Sequence, residues 1–404
     1  MAAANSTGFS PLPPSTPPQV QNLCTQPTSV AVHQTAGPSP KMQAHDDFSM
    51  ELEAADSDDM DSLNFDMDNH EMELSSVVMR HEYQNGRRFH QFRNGRYPLP
   101  NDDPEQERDA LKHMLLLELT NGQLFHAPLG QHGAPDPQRI IDLGCGTGRW
   151  TIDVGEAFPA AEVIGIDLSP IMPEWLPPNV RFMVDDIEDE EWLHGSNFDL
   201  VYIRHVMALI RSPETVMKNS FDNIAPGGWI ECTEFDGFLM CNDGTMPDDH
   251  APKVFLELVA KSLKGVGINF HIGPHLEPLL KQAGFVNVEK RTYPVAIGKW
   301  AKVRYSGSRI TLAKKSNNVL LPHVSHTKPH LPRHQQAPQQ RYLGMYMVEV
   351  LSQLFESAKS RALLKLGLSQ KELDDLTESA IAGLDDHRRH AYINIQVYIG
   401  QKPI

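Results

Sequence analysis

Apolar and polar positions along this chain predict an alternation of strands and helices from about residue 100 onward. Short apolar runs mark strands at Ile140–Leu143, Val163–Asp167, Val180–Val184, Phe198–Ile203 and Trp229–Phe235. Between and after them lie stretches of helical character. One starts at Asp103-Pro104, with Asp103 as N-cap, Pro104 in the first turn and Gly122 at the end. Its apolar positions Leu111, Met114, Leu115, Leu117 and Leu119 predict a buried stripe. Further helices are expected over Trp150–Phe158, after Ser212-Pro213, over Ala251–Lys264, over Pro274–Ala283 with Gly284 as its cap, over Tyr342–Leu366 and over Ser369–Ile381. Ser369 and Glu372 stand at capping-box spacing. Two more strands, Phe285–Pro294 and the alternating His390–Gly400, are expected to pair as an antiparallel hairpin at the sheet edge. The sum is an α/β fold of the Rossmann-like, doubly wound kind. It has a mostly parallel seven-stranded sheet with an antiparallel last strand and helices on both faces.

Two stretches break this pattern. Residues 1–74 are first rich in Pro, Ser and Thr, then acidic, and carry little apolar surface to offset the entropy of ordering. They are expected to be a disordered tail, leaving residues 75–404 as the folded domain. Residues 303–340 are basic, rich in His, Pro and Gln, and lack apolar periodicity. So long a structureless stretch within a domain is uncommon. It is expected to be a disordered insertion or the translation of a retained intron.

Composition narrows the function classes. The chain has 404 residues, is 40% hydrophobic and has a formal net charge of −16. Residues 43–79 hold twelve Asp or Glu and no Lys or Arg, so the acidity belongs largely to the tail. Such a balance argues against nucleic-acid binding by charge, and no direct nucleic-acid-binding feature is evident. Cys24, Cys145, Cys232 and Cys241 form no metal-ligand spacing. No stretch has the look of a signal peptide or the length to cross a membrane, and an intracellular, reducing setting is the expectation.

The chemistry gathers at the end of the first of these strands. Asp142-Leu143-Gly144-Cys145-Gly146-Thr147-Gly148 is an acid followed by alternating glycines, between a strand and a helix. Glycine lets the backbone turn sharply and approach a ligand where a Cβ would collide. The next helix points its free N–H groups at the same place. A phosphate loop would need a Gly-Lys-Ser/Thr ending, and a dinucleotide fingerprint Gly-x-Gly-x-x-Gly; neither is present. The second strand ends in Asp167, 19 residues after Gly148, where a carboxylate can accept both hydroxyls of a ribose. The third ends in Asp185-Asp186-Ile187 and the fourth runs into Arg204-His205.

The glycine loop with its leading acid resembles motif I of the class I S-adenosylmethionine-dependent methyltransferases. The wider chain resembles the LaeA group of filamentous fungi. That likeness rests on Glu82-x-x-x-Gly86-Arg87-Arg88, on Arg96-Tyr97-x-Leu99-Pro100-Asn101-Asp102, on the loop itself, and on His390-Ala391-Tyr392 with Gly400-Gln401-Lys402-Pro403. It runs from about Arg80 to the C-terminus, leaving out residues 303–340. The resemblance implies S-adenosyl-L-methionine as cofactor. Gly144, Gly146 and Gly148 would cradle its methionine part, Asp167 its ribose, and Asp185, Asp186 and Ile187 would flank its adenine, with Asp142 and Cys145 of the loop also counted as cofactor-binding. Tyr97, with Tyr83, is a candidate lid over the methyl group. It further implies a nuclear protein that works with velvet-family proteins and controls secondary-metabolite genes and development. No Asn/Asp-Pro-Pro-Tyr follows the fourth strand; His205 stands there instead, as a structural histidine or as a general base toward a hydroxyl or thiol. Three readings stay open: a nuclear regulator, a small-molecule O-methyltransferase of a biosynthetic pathway, and a scaffold that keeps the fold without catalysis. The methyl acceptor is not legible.

Overall fold

The computed structural model describes residues 78–130, 133–301, 333–363 and 366–404. The expectations for residues 1–74 and for most of 303–340 lie outside them. Its centre is a seven-stranded sheet. Strands β3 (Arg139–Leu143), β4 (Glu162–Asp167), β5 (Val180–Val184), β6 (Phe198–Arg204) and β7 (Ile224–Phe235) run parallel. β8 (Val286–Ala296) and β9 (Tyr392–Gln401) complete it in the order β5-β4-β3-β6-β7-β9-β8. β9 is antiparallel to both of its neighbours.

The apolar runs follow from burial on both faces. Ile141, Ile164, Val201 and Ile203 pack into one core cluster, while Ile140, Val163, Leu200 and Tyr202 pack into a second. Successive side chains of a strand point to opposite faces, so each run supplies both layers. Helix α2 (Arg149–Ala157) covers the second cluster with Trp150 and Val154. The first cluster is closed by α4 (Ala251–Lys264), α6 (Arg333–Ser360) and α7 (Gln370–Leu384), through residues such as Phe255, Phe355 and Leu373. Helices α3 (Pro213–Asn223) and α5 (Leu276–Ala283) lie beside β7 and β8.

The expected fold stands, with local corrections. The last two strands pair antiparallel at the sheet edge as expected, with α6 and α7 between them in the chain; β8 is the outermost strand and β9 lies between it and β7. α6 begins at Arg333, inside the stretch expected to lack structure. The flanks of that stretch do meet: the Gly298 amide donates to the Gly344 carbonyl at 3.0 Å. A Cβ on Gly344 would lie 2.0 Å from the Gly298 oxygen, so only glycine lets them touch.

An additional hairpin went unanticipated. β1 (His81–Gln84) and β2 (Arg87–His90) pair across Asn85-Gly86, both at positive φ, the backbone that an Asn-Gly turn favours. The hairpin is pinned to helix α1 (Asp103–Leu119). Arg87 grips the Asp102 carboxylate with Nε at 2.6 Å and a terminal nitrogen at 2.8 Å. Asp102, not Asp103, is the N-cap, accepting from the Glu105 amide. α1 also departs from its predicted stripe. Met114 is 48% exposed, whereas Glu105, Arg108 and Lys112 are buried beside Leu115 and Leu116.

Candidate functional site

The chain visits β3, β4 and β5 on one side, then returns to place β6 and β7 on the other. In open α/β sheets such a reversal leaves a crevice outside the carboxyl ends of the strands. Here it is a cleft enclosing about 850 Å³ of free space, partly open to solvent. The loop after β3 forms its floor, and the ends of β4, β5 and β6 form its walls. α1 closes a further side with Glu105, Asp109 and Lys112.

Of the residues singled out from sequence, Gly144, Gly146, Asp167, Asp185, Asp186, Ile187 and Tyr97 line this one cleft. Asp142, Cys145 and Gly148 do not line it. Cys145 is buried in the second core cluster. A Cβ on Gly148 would collide with the Phe182 ring at 2.2 Å, so that glycine serves the packing of the loop. Asp142 lies beneath the loop, where its carboxylate accepts from the Thr151 hydroxyl at 2.7 Å and ties β3 to α2. Tyr83 is 72% exposed on the hairpin and is no lid; Tyr97 lies at the cleft.

The cleft fits the cofactor that the sequence pattern suggests. Gly144 and Gly146 have φ of +80° and +57°. Cβ atoms there would meet Val206 at 3.1 Å and the Asp109 carboxylate at 3.2 Å. Asp167 accepts from the Gly146 amide at 2.9 Å and the Ser169 amide at 2.8 Å. A carboxylate offers about four acceptor positions, so lone pairs remain for a diol. Asp186 is already committed: its Oδ2 takes Arg96 Nε at 2.8 Å, with Arg93 3.5 Å away. Of the acids after β5, Asp185 is thus the one left to accept from a ligand amine. Arg93, paired with Asp189, and Arg96 strap residues 93–100 across the cleft.

Sequence reading missed the charged face of α1. Glu105, Arg108, Asp109 and Lys112 recur at the spacing of one helical face, where apolar residues are usual. Arg108 pairs with Glu105, and Lys112 Nζ lies 3.0 Å from Asp109 Oδ1. Burial pushes the Asp109 carboxyl up, but Lys112 and Arg204 outweigh it and hold that group well below the usual range. Arg204 in turn donates to His113 Nδ1 at 2.9 Å, and His113 Nε2 lies 2.8 Å from Asp153.

Burial raises the Asp142 carboxyl to about 7, against the pull of Arg204 and Thr151. Folding therefore takes up a proton at this residue between its ordinary 3.8 and about 7. A raised acid makes the fold less stable as pH climbs through that window, since the unfolded chain releases the proton first. Asp142→Asn stays neutral and can still accept from Thr151. Denaturant unfolding across the window is expected to show a shallower decline in the variant, which should be the more stable protein at alkaline pH. Parallel curves would contradict the shift.

Among the described residues there is no group of His, Cys, Asp and Glu arranged to hold a metal ion, and no helix is long and apolar enough to cross a membrane. Residues 118–290 match the family model of a methyltransferase domain. The chain is 36% identical over 245 residues to methyltransferase pytC of Aspergillus terreus, covering 60% of this chain and 74% of that protein. It is 33% identical over 219 residues to the secondary metabolism regulator LAE1 of Cochliobolus heterostrophus, covering 54% and 71%. It is 29% identical over 222 residues to the protein-methionine methyltransferase laeA of Emericella nidulans, covering 54% and 57%. With a glycine loop after β3, acids closing β4 and β5, and relatives of this similarity, the chain belongs to the methyltransferase family and carries a class I, S-adenosylmethionine-dependent methyltransferase domain.

Proposed function

We propose that S-adenosylmethionine lies along the cleft with its methionine part over Gly144 and Gly146, its ribose at Asp167, and its adenine beside Asp185 and Ile187. The bound cofactor supplies a methyl group made electrophilic by the sulfonium. The protein's part is positioning: reactants held in reactive geometry gain much of the rate that solution chemistry lacks. In this reading the acceptor is a small molecule, and the chain is a biosynthetic methyltransferase; pytC, to which it is similar, is a methyltransferase by name. The observation that carries it is a second chamber of about 580 Å³, which shares Lys112, His205 and Leu209 with the cleft. A recess beside the donor, partly open to solvent, suits a compact acceptor better than a folded protein surface. Titration calorimetry with S-adenosylhomocysteine tests the donor half: no binding to the full chain removes the reading.

A second reading is favoured by Glu82–Arg88 and Arg96–Asp102 and by the matches to LAE1 and laeA. In it the methyltransferase is a nuclear regulator of secondary-metabolite genes and development, acting with velvet-family proteins. The ordered role of these stretches, pinning the hairpin and strapping the cleft, serves either reading. Fluorescent tagging separates the two. A regulator concentrates in nuclei and is recovered with velvet-family proteins, whereas a protein excluded from nuclei under all growth conditions is not one.

A further inference from the structure

His205 is the most unusual side chain of the described structure. It follows β6 directly and takes a φ of +56°, a conformation that a residue other than glycine adopts at a cost. It is 7% exposed, and neither ring nitrogen has a hydrogen-bond partner. Buried polar atoms are nearly always satisfied, so two orphaned nitrogens on one ring call for an explanation. The ring is held flat against Phe235, with centroids 4.5 Å apart and planes 16° off parallel. It stands in the wall between the cleft and the second chamber. Beyond it the chamber is walled by Leu256, Phe270, Val350, Leu351 and Leu354, with Arg108, Lys112 and Glu234 also in the lining.

We infer that this chamber receives the methyl acceptor, and that the acceptor is an apolar molecule presenting a neutral hydroxyl, phenolic or enolic, to His205. The inference rests on the cleft being the methyl-donor site. Three features select the hydroxyl. An amine would enter as an ammonium, which Arg108 and Lys112 at the chamber wall repel, and burial raises the Glu234 carboxyl there to about 7, so it offers only part of a counter-charge. A thiol is neutral but a weak donor, a poor match for an unsatisfied imidazole nitrogen. A hydroxyl enters uncharged and donates strongly.

The surroundings keep the ring ready to accept. His205 is faced by Arg204 from the end of β6, by Arg108, Asp109 and Lys112 from α1, and by Glu234 from β7. Burial, then Lys112 and Arg204, hold it well below the ordinary histidine value, so the ring is neutral. As the acceptor oxygen forms its bond to the methyl carbon, its proton passes to His205. The carbon–sulfur bond breaks with its electron pair left on sulfur. The products are a methyl ether, S-adenosylhomocysteine and an imidazolium. Glu234 Oε1, 3.7 Å from His205 Nδ1, faces that new positive charge.

The test uses the full chain saturated with S-adenosylhomocysteine and two probes of similar shape, 4-ethylphenol, which stays neutral at pH 7, and 4-ethyltoluene. Wild type is expected to bind the phenol about tenfold or more tightly, since a site with an unpaired polar group rejects the analogue that cannot satisfy it. His205→Phe is expected to erase that preference. Leu351→Trp, or Leu354→Trp if the first does not fold, fills the chamber and is expected to weaken both probes at least tenfold. All variants should keep S-adenosylhomocysteine affinity within about threefold, which marks them as folded with the donor site intact. His205→Gln still accepts the hydrogen bond but takes no proton. With labelled S-adenosylmethionine it is expected to bind 4-ethylphenol as wild type does and to methylate it about a hundredfold more slowly. Equal binding of the two probes by wild type, or undiminished binding in the filled chamber, overturns the acceptor site. Equal turnover in wild type and His205→Gln, or none in wild type, overturns the base. Loss of S-adenosylhomocysteine binding by wild type instead overturns the donor reading beneath both.

Discussion

Gly144→Val is expected to weaken S-adenosylhomocysteine binding by more than a hundredfold, about 3 kcal/mol, while leaving the protein folded. Gly144 lines the cleft at a φ of +80°. Valine disfavours that conformation strongly, because its two branches crowd the backbone. Its Cβ would stand 3.1 Å from Val206, and its methyl groups would enter the space where the donor's methionine end is placed. Gly148→Val makes the contrast. There the new atom meets Phe182 at 2.2 Å, away from the cleft, so the expected loss is of the fold itself. Calorimetry and thermal unfolding on both variants separate the cases. A Gly144→Val protein that binds as wild type does would remove the loop from the donor site.

A loss of stability of about 3–5 kcal/mol is expected from Glu105→Ala, because it leaves the Arg108 guanidinium buried without its carboxylate. Arg108 is 5% exposed as a side chain, and its Nε lies 3.0 Å from Glu105 Oε2. Ser357 of α6 donates to the same carboxylate at 2.8 Å, and Arg87 of the hairpin reaches the Ser357 hydroxyl at 3.3 Å. One carboxylate therefore joins α1, α6 and the N-terminal hairpin. Glu105→Gln keeps the shape and part of the hydrogen bonding but not the charge, and should fall between alanine and wild type. Replacing Glu105 and Arg108 together by Gln and Met removes the stranded charge and should recover part of the loss. Urea unfolding of the four proteins measures this directly. A cost below about 1 kcal/mol for Glu105→Ala would show that water reaches Arg108.

Much of this was legible in the residues, for identifiable reasons. The parallel strands are buried on both faces, so Ile140-Ile141 and Val163-Ile164 stand as unbroken apolar pairs. Ser369 and Glu372 form the capping box that their spacing suggests, and Gly284 closes its helix at a φ of +109°. The parts that were not legible depend on partners distant in sequence. Asp186 looked available to a ligand until the strap brought Arg96 onto it. Helix α1 looked like an ordinary amphipathic helix with an apolar stripe, yet the face it turns inward carries Glu105, Arg108, Asp109 and Lys112. A charged series at i, i+3, i+4 and i+7 signals such a helix only when one asks which face the cleft will claim. The start of α6 at Arg333 lacks apolar periodicity, so no pattern announced it.

The place of β9 has a consequence for how the chain reaches this state. The strand is the last of the sheet to be synthesised, yet it lies between β7 and β8 and bonds to both. Until Tyr392–Gln401 emerges, β7 and β8 each present a row of unpaired backbone groups, the kind of edge that recruits strands from other chains. The sheet therefore closes only once Tyr392–Gln401 has been synthesised, by a pairing of high sequence separation, which is a slow class of folding step. A message truncated just before residue 392 would encode every helix among the described residues and most of both cores, and still yield a protein with two open seams. Such a product is expected to be found in aggregates or bound to chaperones rather than in a partly active pool.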